Sequence, residues 1–255
     1  MPTPFTHLAA ASEILAHPGL PPELSAPLTA ELPAFLLGNT APDVQTVSGQ
    51  TREATHFFTV PMNGSSAAGA EMLVRYPTLA ARSALPPAQA SFLAGYLAHL
   101  VFDQLWIRDI FEPFFVAASE WASFRERLYL HNVLRAYWDA EDVRKLAPSV
   151  GSDLQAAEPV GWLPFVADNH LRAWRDLIAD QLASGAGRTV EVFAQRMHAD
   201  PQAFAAVLAS PQEMERRVFA HAPPAALDAY RARAVAASVQ TIADYWQGRP
   251  LATRS

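Results

Sequence analysis

Apolar residues recur at helical spacing along most of the chain, and prolines separate the segments from one another. The strongest segment runs from Ala88 to about Ile110, after Pro86 and Pro87, and proline suits the first turn of a helix. No segment alternates apolar and polar residues as a strand would, so the pattern predicts an all-α fold, a multi-helix bundle. Further helices are predicted over 6–16, 22–37, 67–84, 120–146, 161–183, 190–197, 201–209, 211–220 and 225–247.

Two stretches are predicted to lie outside helices. Residues 38–64 are rich in Gly, Asn, Pro, Thr and Ser, and a loop of that length inside a domain is usually functional or disordered. Residues 147–158 are predicted to form either a linker or a surface loop. We expect a single all-helical domain over 1–255, with 159–248 supplying additional helices.

Composition narrows the classes of function. Hydrophobic residues make up 51% of the chain, enough for a sizeable core, and the net charge of −6 argues against a nucleic-acid-binding face. The absence of cysteine excludes disulfides and thiolate ligands, so any zinc must be bound by histidines and carboxylates. The amino-terminal residues do not resemble a secretory signal, and no apolar run is long enough to span a membrane, so a cytoplasmic protein is expected.

The strongest predicted helix carries His99 and Asp103, one helical turn apart and therefore on the same face. Burying a carboxylate on so apolar a helix is unfavourable unless a partner compensates its charge. A metal ion bound by both side chains would supply that compensation. An ordinary hydrogen bond between histidine and aspartate is the alternative interpretation.

Three more residues favour the metal interpretation when they are taken together. Asp43 follows the second predicted helix, His56 lies further along the predicted loop, and His7 lies at the start of the first helix. Each has an ordinary interpretation by itself, as a turn, packed-loop or helix-end residue. With His99 and Asp103 they supply three imidazoles and two carboxylates, a ligand set that suits zinc.

The order of these motifs resembles the zinc-dependent phospholipase C family, which is related to single-strand nucleases of the P1/S1 type. The resemblance covers about residues 1–140, within a metal-site portion over 1–147. The motifs that carry it are Thr6-His7, Gly38-x3-Pro42-Asp43, His56-Phe57 and Gly95-x3-His99-x3-Asp103. The family is all-α and hydrolyses phosphodiester bonds with up to three zinc ions.

The resemblance implies a role for each matching residue. Asp43, His56, His99 and Asp103 would hold one zinc ion, and Asp103 would bridge to a second ion that His7 also binds. Asp43 or Asp103, if not fully engaged as a ligand, would accept the proton of the attacking water.

The third metal subsite is where the chain departs from the family. The family has a histidine shortly after the bridging aspartate, and none follows Asp103 here. A later helix should carry His, Glu and Asp at four-residue spacing, whereas this chain has His131, Arg135 and Asp139. We therefore expect one to two zinc ions, with His131 as the remaining ligand of a lost subsite. Arg135 is predicted either to bind a substrate phosphate or to pair with Asp139.

These features predict a zinc-dependent hydrolase of phosphate esters or phosphodiesters, acting on a small or phospholipid-like substrate; nucleic acid is expected at most as a substrate. Two alternatives stay open: a metal-binding protein of the same fold that has lost catalysis, and a hydrolase of a non-phosphate substrate. Arg52, in the predicted loop, is expected to be a solvated arginine, and an approach to the site from the loop is the less favoured interpretation.

Overall fold

The computed structural model describes residues 1–62, 66–117, 123–184, 191, 193–194 and 200–251. These residues contain helices and no strand, which confirms the predicted all-α fold. The α-helices are α1 Pro4–Ala16, α2 Pro22–Ala30, α3 Leu32–Thr40, α4 Gln45–Ser48, α5 Arg52–His56, α6 Ala68–Arg75, α7 Pro87–Trp106, α8 Phe124–Val143, α9 Val150–Gln155, α10 Asp168–Ser184, α11 Pro201–Ala209, α12 Pro211–Met214 and α13 Pro224–Trp246. Short 3-10 segments cover Ala41–Val44, Pro77–Leu79 and Arg82–Ala84, and π-helical segments cover Ile107–Ala117 and Glu215–Phe219.

The predicted loop over 38–64 is wrong for most of its length. Helix α3 continues to Thr40 and passes into the 3-10 turn Ala41–Val44, and the short helices α4 and α5 follow. The composition of residues 38–64 suggests a loop because Gly, Asn, Pro and Thr are poor residues for a helix interior. These residues instead connect a series of short helical turns, and several of them are buried.

Proline accounts for two of the shifted boundaries. The helix predicted over 22–37 is divided at Glu31, and Pro33 lies in the first turn of α3. The helix predicted over 67–84 ends at Arg75, two residues before Pro77. The predicted linker over 147–158 contains α9. Most of the helix predicted over 190–197, and the first residues of the one predicted over 120–146, lie outside the described residues.

The crossing of α3 and α7 brings the two backbones unusually close. A Cβ atom on Gly38 would overlap the backbone oxygen of Phe92, and one on Gly95 would overlap the backbone oxygen of Phe35. Only glycine permits this approach. The contact sets Asn39, the residue after Gly38, beside the face of α7 that carries His99 one turn beyond Gly95.

Helices from the second part of the chain pack onto this pair. On α13, Tyr230 donates a hydrogen bond to the backbone oxygen of Phe102 in α7, at 3.0 Å. On α10, Trp174 donates through Nε1 to the backbone oxygen of Thr40, at 2.8 Å. Both rings are buried, so these bonds fix α10 and α13 against the central helices. None of the described helices is both long and apolar enough to cross a membrane.

Candidate metal centre

Five of the six predicted ligands converge from four elements. The five are His7 of α1, Asp43 of the 3-10 turn, His56 at the end of α5, and His99 and Asp103 of α7. The three histidines and Asp103 are at most 1% exposed, and the side chain of Asp43 is 21% exposed. A buried group of imidazoles and carboxylates therefore reaches solvent mainly at Asp43.

Asp103 lies at the middle of the cluster. His7 Nε2 is 3.5 Å from Asp103 Oδ1, while His56 Nε2 and His99 Nε2 are 3.3 and 3.6 Å from Asp103 Oδ2. His56 Nε2 also lies 3.5 Å from Asp43 Oδ1 and 3.4 Å from His99 Nε2. Each of the three imidazoles thus directs its Nε2 atom toward a carboxylate oxygen.

Backbone carbonyl groups orient two of these rings from behind. His99 Nδ1 is 2.8 Å from the oxygen of Asn39, and His56 Nδ1 is 3.2 Å from the oxygen of Arg52. A carbonyl can only accept, so Nδ1 carries a proton, and in the neutral ring Nε2 is the nitrogen with the lone pair. Metal-bound histidines are usually oriented in this way. The close approach of α3 and α7 supplies the Asn39 carbonyl.

Several buried polar atoms in the cluster lack a hydrogen-bond partner among the described residues. They are both ring nitrogens of His7 and Asp103 Oδ1. A buried acceptor without a partner is unfavourable, and a cation satisfies such acceptors. Two overlapping triplets, His7–His99–Asp103 and Asp43–His56–His99, have ligand atoms within 4.8 Å of one another. This donor set fits zinc, with imidazole nitrogens and carboxylate oxygens.

The charges of the cluster favour metal binding near neutral pH. Burial opposes ionisation of Asp103, but His99, His56 and His7 hold its pKa well below the ordinary value. Burial and the neighbouring His99 lower the pKa of His7 to about 4, so its ring is neutral at pH 7. Burial lowers the pKa of His56 less than its bonds to Asp103 and Asp43 raise it. Metal binding must therefore displace a proton most readily held at His56.

The sixth predicted ligand, His131 on α8, does not belong to the groups of side chains that converge here. Its Nε2 accepts a hydrogen bond from Trp106 Nε1 at 3.0 Å, and the rings of Phe111 and Phe115 lie 4.9 Å away. Nε2 is occupied, so Nδ1 must carry the proton of the neutral ring. Burial keeps the pKa of His131 well below its ordinary value.

Arg135 borders a cavity that also reaches the metal cluster. The cavity, of about 260 Å³, is lined by Asp43, Arg135, Asp139, Trp174 and Phe193 among other residues. Arg135 donates to Asn132 Oδ1 at 2.9 Å, and its guanidinium lies 4.7 Å from the ring centre of Phe193. Asp139 is 1% exposed and accepts a hydrogen bond from the hydroxyl of Thr3. Arg135 therefore lies in the same cavity as the exposed carboxylate of the cluster.

Arg52 contacts the site, against the favoured interpretation of the sequence. The sequence predicts a solvated arginine, but its Nη2 donates to Asp103 Oδ2 at 2.8 Å, and its side chain is 18% exposed. The guanidinium lies 4.4 Å from the ring centre of Phe58. The signal in the sequence is its position four residues before His56, which matters only if 52–56 is a helix. Predicting a loop there conceals the relation.

Fold and site together define a helical protein with a buried histidine–aspartate centre suited to a divalent metal. Residues 6–106 match the family model described as zinc dependent phospholipase C. The match includes all five converging residues and ends with α7. No curated protein and no solved structure matches the chain.

Proposed function

We propose that the protein is a zinc-dependent hydrolase of phosphate esters or phosphodiesters, with one to two ions held by His7, Asp43, His56, His99 and Asp103. The observation that carries the proposal is the buried cluster itself. Its histidine nitrogens converge on one carboxylate, and acceptors on His7 and Asp103 lack protein partners among the described residues. The family match supports the choice of zinc.

Bound zinc supplies Lewis-acid chemistry, acidifying water and polarising a phosphoryl oxygen. Asp43 is the better-placed proton acceptor, because it borders the cavity whereas Asp103 is 1% exposed and surrounded by cationic and imidazole groups. Burial opposes its ionisation, but the bond to His56 and the nearby His99 hold the pKa of Asp43 well below its ordinary value. Asp43 is therefore an anion at neutral pH, and its position at the cavity is what supports a role as the acceptor of a proton from water when it is not fully engaged as a ligand.

Arg135 would bind the phosphate of the substrate from the wall of the cavity. Guanidinium groups pair well with phosphoryl oxygens. Apolar side chains such as Trp174, Leu177 and Phe193 share the lining, and they suit the uncharged part of a small or lipid-like phosphate ester. The cavity's mixed lining supports this substrate class.

A metal-binding protein without catalysis is the second candidate, and the surroundings of α8 favour it. Nε2 of His131 accepts a hydrogen bond from Trp106, and Arg135 stands where the family has a glutamate ligand, so two of the three positions on α8 are unlike those of a third metal subsite. Hydrolases of the family use up to three ions. A protein with fewer ions can retain the fold of the centre and lose the reaction.

Metal content and turnover, measured on the same preparations, test the proposal. Purified protein should contain one to two zinc ions per chain and hydrolyse one of p-nitrophenyl phosphate, bis(p-nitrophenyl) phosphate or a short-chain phosphatidylcholine. His56→Ala and Asp103→Ala should lose both metal and activity. His17→Ala, outside the cluster, should lose neither. Zinc without turnover of any substrate would support the second candidate, and absence of zinc would contradict both.

A further inference from the structure

His99 is shared between the two groups of side chains that could hold a metal ion. The two groups are the triplets His7–His99–Asp103 and Asp43–His56–His99. Nδ1 of His99 donates to the backbone oxygen of Asn39, so Nε2 is its only nitrogen that can bind a metal. That nitrogen has one lone pair and serves one ion. The two triplets therefore cannot each hold an ion with three protein ligands.

Three ligand atoms of the cluster have the spacing of one zinc site. His56 Nε2 is 3.4 Å from His99 Nε2 and 3.3 Å from Asp103 Oδ2, and His99 Nε2 is 3.6 Å from the same oxygen. Ligands bound at about 2.0–2.1 Å to a tetrahedral zinc ion are separated by about 3.3 Å. The three atoms match one face of such a tetrahedron, and Asp43 Oδ1 lies 3.5 Å from His56 Nε2. A first ion would therefore use the only free nitrogen of His99.

A second ion would be left with His7 and the other oxygen of Asp103. His7 Nε2 is 3.5 Å from Asp103 Oδ1, and neither atom has a hydrogen-bond partner among the described residues. Two protein ligands are fewer than the three or four of ordinary zinc sites. These two atoms are therefore an incomplete second subsite, and its occupancy depends on the charge around it.

Arg52 supplies positive charge at the carboxylate that a second ion would have to share. Its Nη2 donates to Asp103 Oδ2 at 2.8 Å, and its guanidinium carbon lies 4.4 Å from the ring centre of Phe58. A carboxylate oxygen has two lone pairs, so Oδ2 can accept this hydrogen bond and still bind zinc. The guanidinium is a permanent cation, and the side chain of Asp103 is 1% exposed. Little water therefore screens the guanidinium from an ion on Asp103 Oδ1.

The charge of the whole cluster also opposes a second ion. One zinc ion and Arg52 together carry more positive charge than the carboxylates of Asp43 and Asp103 compensate. A second zinc ion would add two positive charges to a region whose histidines are buried, and no further carboxylate belongs to either triplet. Placing uncompensated charge in such a region is unfavourable.

We propose that the centre holds a single zinc ion and that the guanidinium of Arg52 takes the place of a second ion beside Asp103. Arg52 is then a positioning residue, which compensates part of the charge of Asp103 and leaves His7 without a metal. The inference rests on the proposed function for the presence of zinc, and it narrows the one to two ions given there to one.

Arg75 provides a matched control within the same part of the chain. It too lies over a phenylalanine, with its guanidinium carbon 5.5 Å from the ring centre of Phe57. Its side chain is 51% exposed and pairs with Glu71 at 3.2 Å. Arg75 therefore resembles Arg52 in its ring contact and differs in pairing with a surface carboxylate rather than with Asp103.

The test counts zinc ions per chain by elemental analysis of protein dialysed at a buffered free zinc concentration, without any measurement of turnover. The unmodified protein should bind one ion. Arg52→Gln should bind two, because a neutral amide no longer opposes an ion at His7 and Asp103. Arg52→Lys keeps the positive charge and should stay at one ion, as should Arg75→Gln. Adding His7→Ala to Arg52→Gln should return the count to one.

The outcomes separate this inference from the proposed function. Unmodified protein without zinc would overturn both. Two ions in the unmodified protein would overturn only this inference, since the proposed function allows either count. An unchanged count in Arg52→Gln, loss of the first ion in that variant, or a second ion that persists without His7 would overturn the role of Arg52. Melting temperatures are measured on every variant, and Arg52→Met, which is also uncharged, replaces Arg52→Gln if that variant does not fold.

Discussion

Helices α7 and α8 each carry a histidine and an aspartate, and their sequences alone suggest similar chemistry. On α7, His99 and Asp103 are one turn apart; on α8, His131 and Asp139 are separated by Arg135. The α7 pair meets further histidines from α1 and α5. The α8 histidine meets an indole and two phenyl rings instead. Neighbouring elements therefore decide which pair is a candidate metal site.

His99 and His131 also differ in the hydrogen bond that determines which ring nitrogen carries the proton. His99 Nδ1 donates a hydrogen bond to the carbonyl of Asn39, so in the neutral ring Nε2 carries the lone pair and faces Asp103. The indole of Trp106 donates to His131 Nε2, so the remaining nitrogen of His131 is a donor. The bond to Asn39 leaves the His99 nitrogen that faces the cluster able to bind a metal, whereas the bond from Trp106 occupies Nε2 of His131.

The largest predicted effect separates the two aspartates. Asp103→Asn should weaken zinc binding by more than about 100-fold, since changes even outside the ligand set commonly cost about 10- to 100-fold. Asp139→Asn should leave zinc binding unchanged, because an amide oxygen can still accept from Thr3. Zinc affinity is measured by competition with a fluorescent chelator. Equal losses in the two variants would mean that the centre extends to α8.

The same residues show which parts of the fold and of the candidate site can be predicted from the sequence. The helical pattern predicts α7 and the overall class well, because apolar periodicity sustained over a segment of this length is typical of a helix. The spacing of His99 and Asp103 needs only that helix. Arg52 and the orientation of His131 depend on tertiary contacts, with Asp103 and Trp106, that no local pattern contains. The short helices over 38–56 are missed because their residues have poor helix propensity.

Removing metal should destabilise the protein through the α7 centre alone. At a free zinc concentration about 100 times the dissociation constant, binding stabilises the fold by about 2.7 kcal/mol. For a chain of 255 residues that corresponds to roughly 5–10 °C in melting temperature. Scanning calorimetry with and without EDTA measures the shift. Asp103→Asn should show no EDTA shift, and Asp139→Asn should show the full one; an unmodified protein insensitive to EDTA would contradict a metal centre.

Replacing the α8 histidine should lower stability and spare the metal. In His131→Phe the buried Nε1 of Trp106 loses its acceptor, which costs about 1–3 kcal/mol. The phenyl ring would replace the imidazole beside the rings of Phe111 and Phe115, so this position can accommodate an apolar ring. Urea unfolding of the zinc-loaded variant measures the loss, and its zinc content should equal that of the unmodified protein. A fall in zinc content would return His131 to the ligand set.

The smallest predicted effect is a change in pH dependence that distinguishes a buried neutral histidine from an ordinary one. Burial holds the pKa of His131 well below its ordinary value of 6.5. Below pH 6.5 His131 therefore binds a proton in the unfolded chain but not in the folded chain, and the free energy of unfolding falls as the pH falls. This residue alone contributes a slope of at most about 1.4 kcal/mol per pH unit.

His131→Phe separates that slope from the constant loss of the Trp106 bond, because only the slope depends on protons. In chelator-treated protein, urea unfolding between about pH 5 and pH 6.5, the window named by the ordinary pKa, should show a flatter decline for His131→Phe than for the unmodified chain. His7, whose pKa is lowered to about 4, contributes a decline of the same sign to both proteins and cancels in the difference. Parallel profiles would mean that His131 takes up its proton in the folded state, and the contrast between its ring and that of His99 would then have to be drawn on geometry alone.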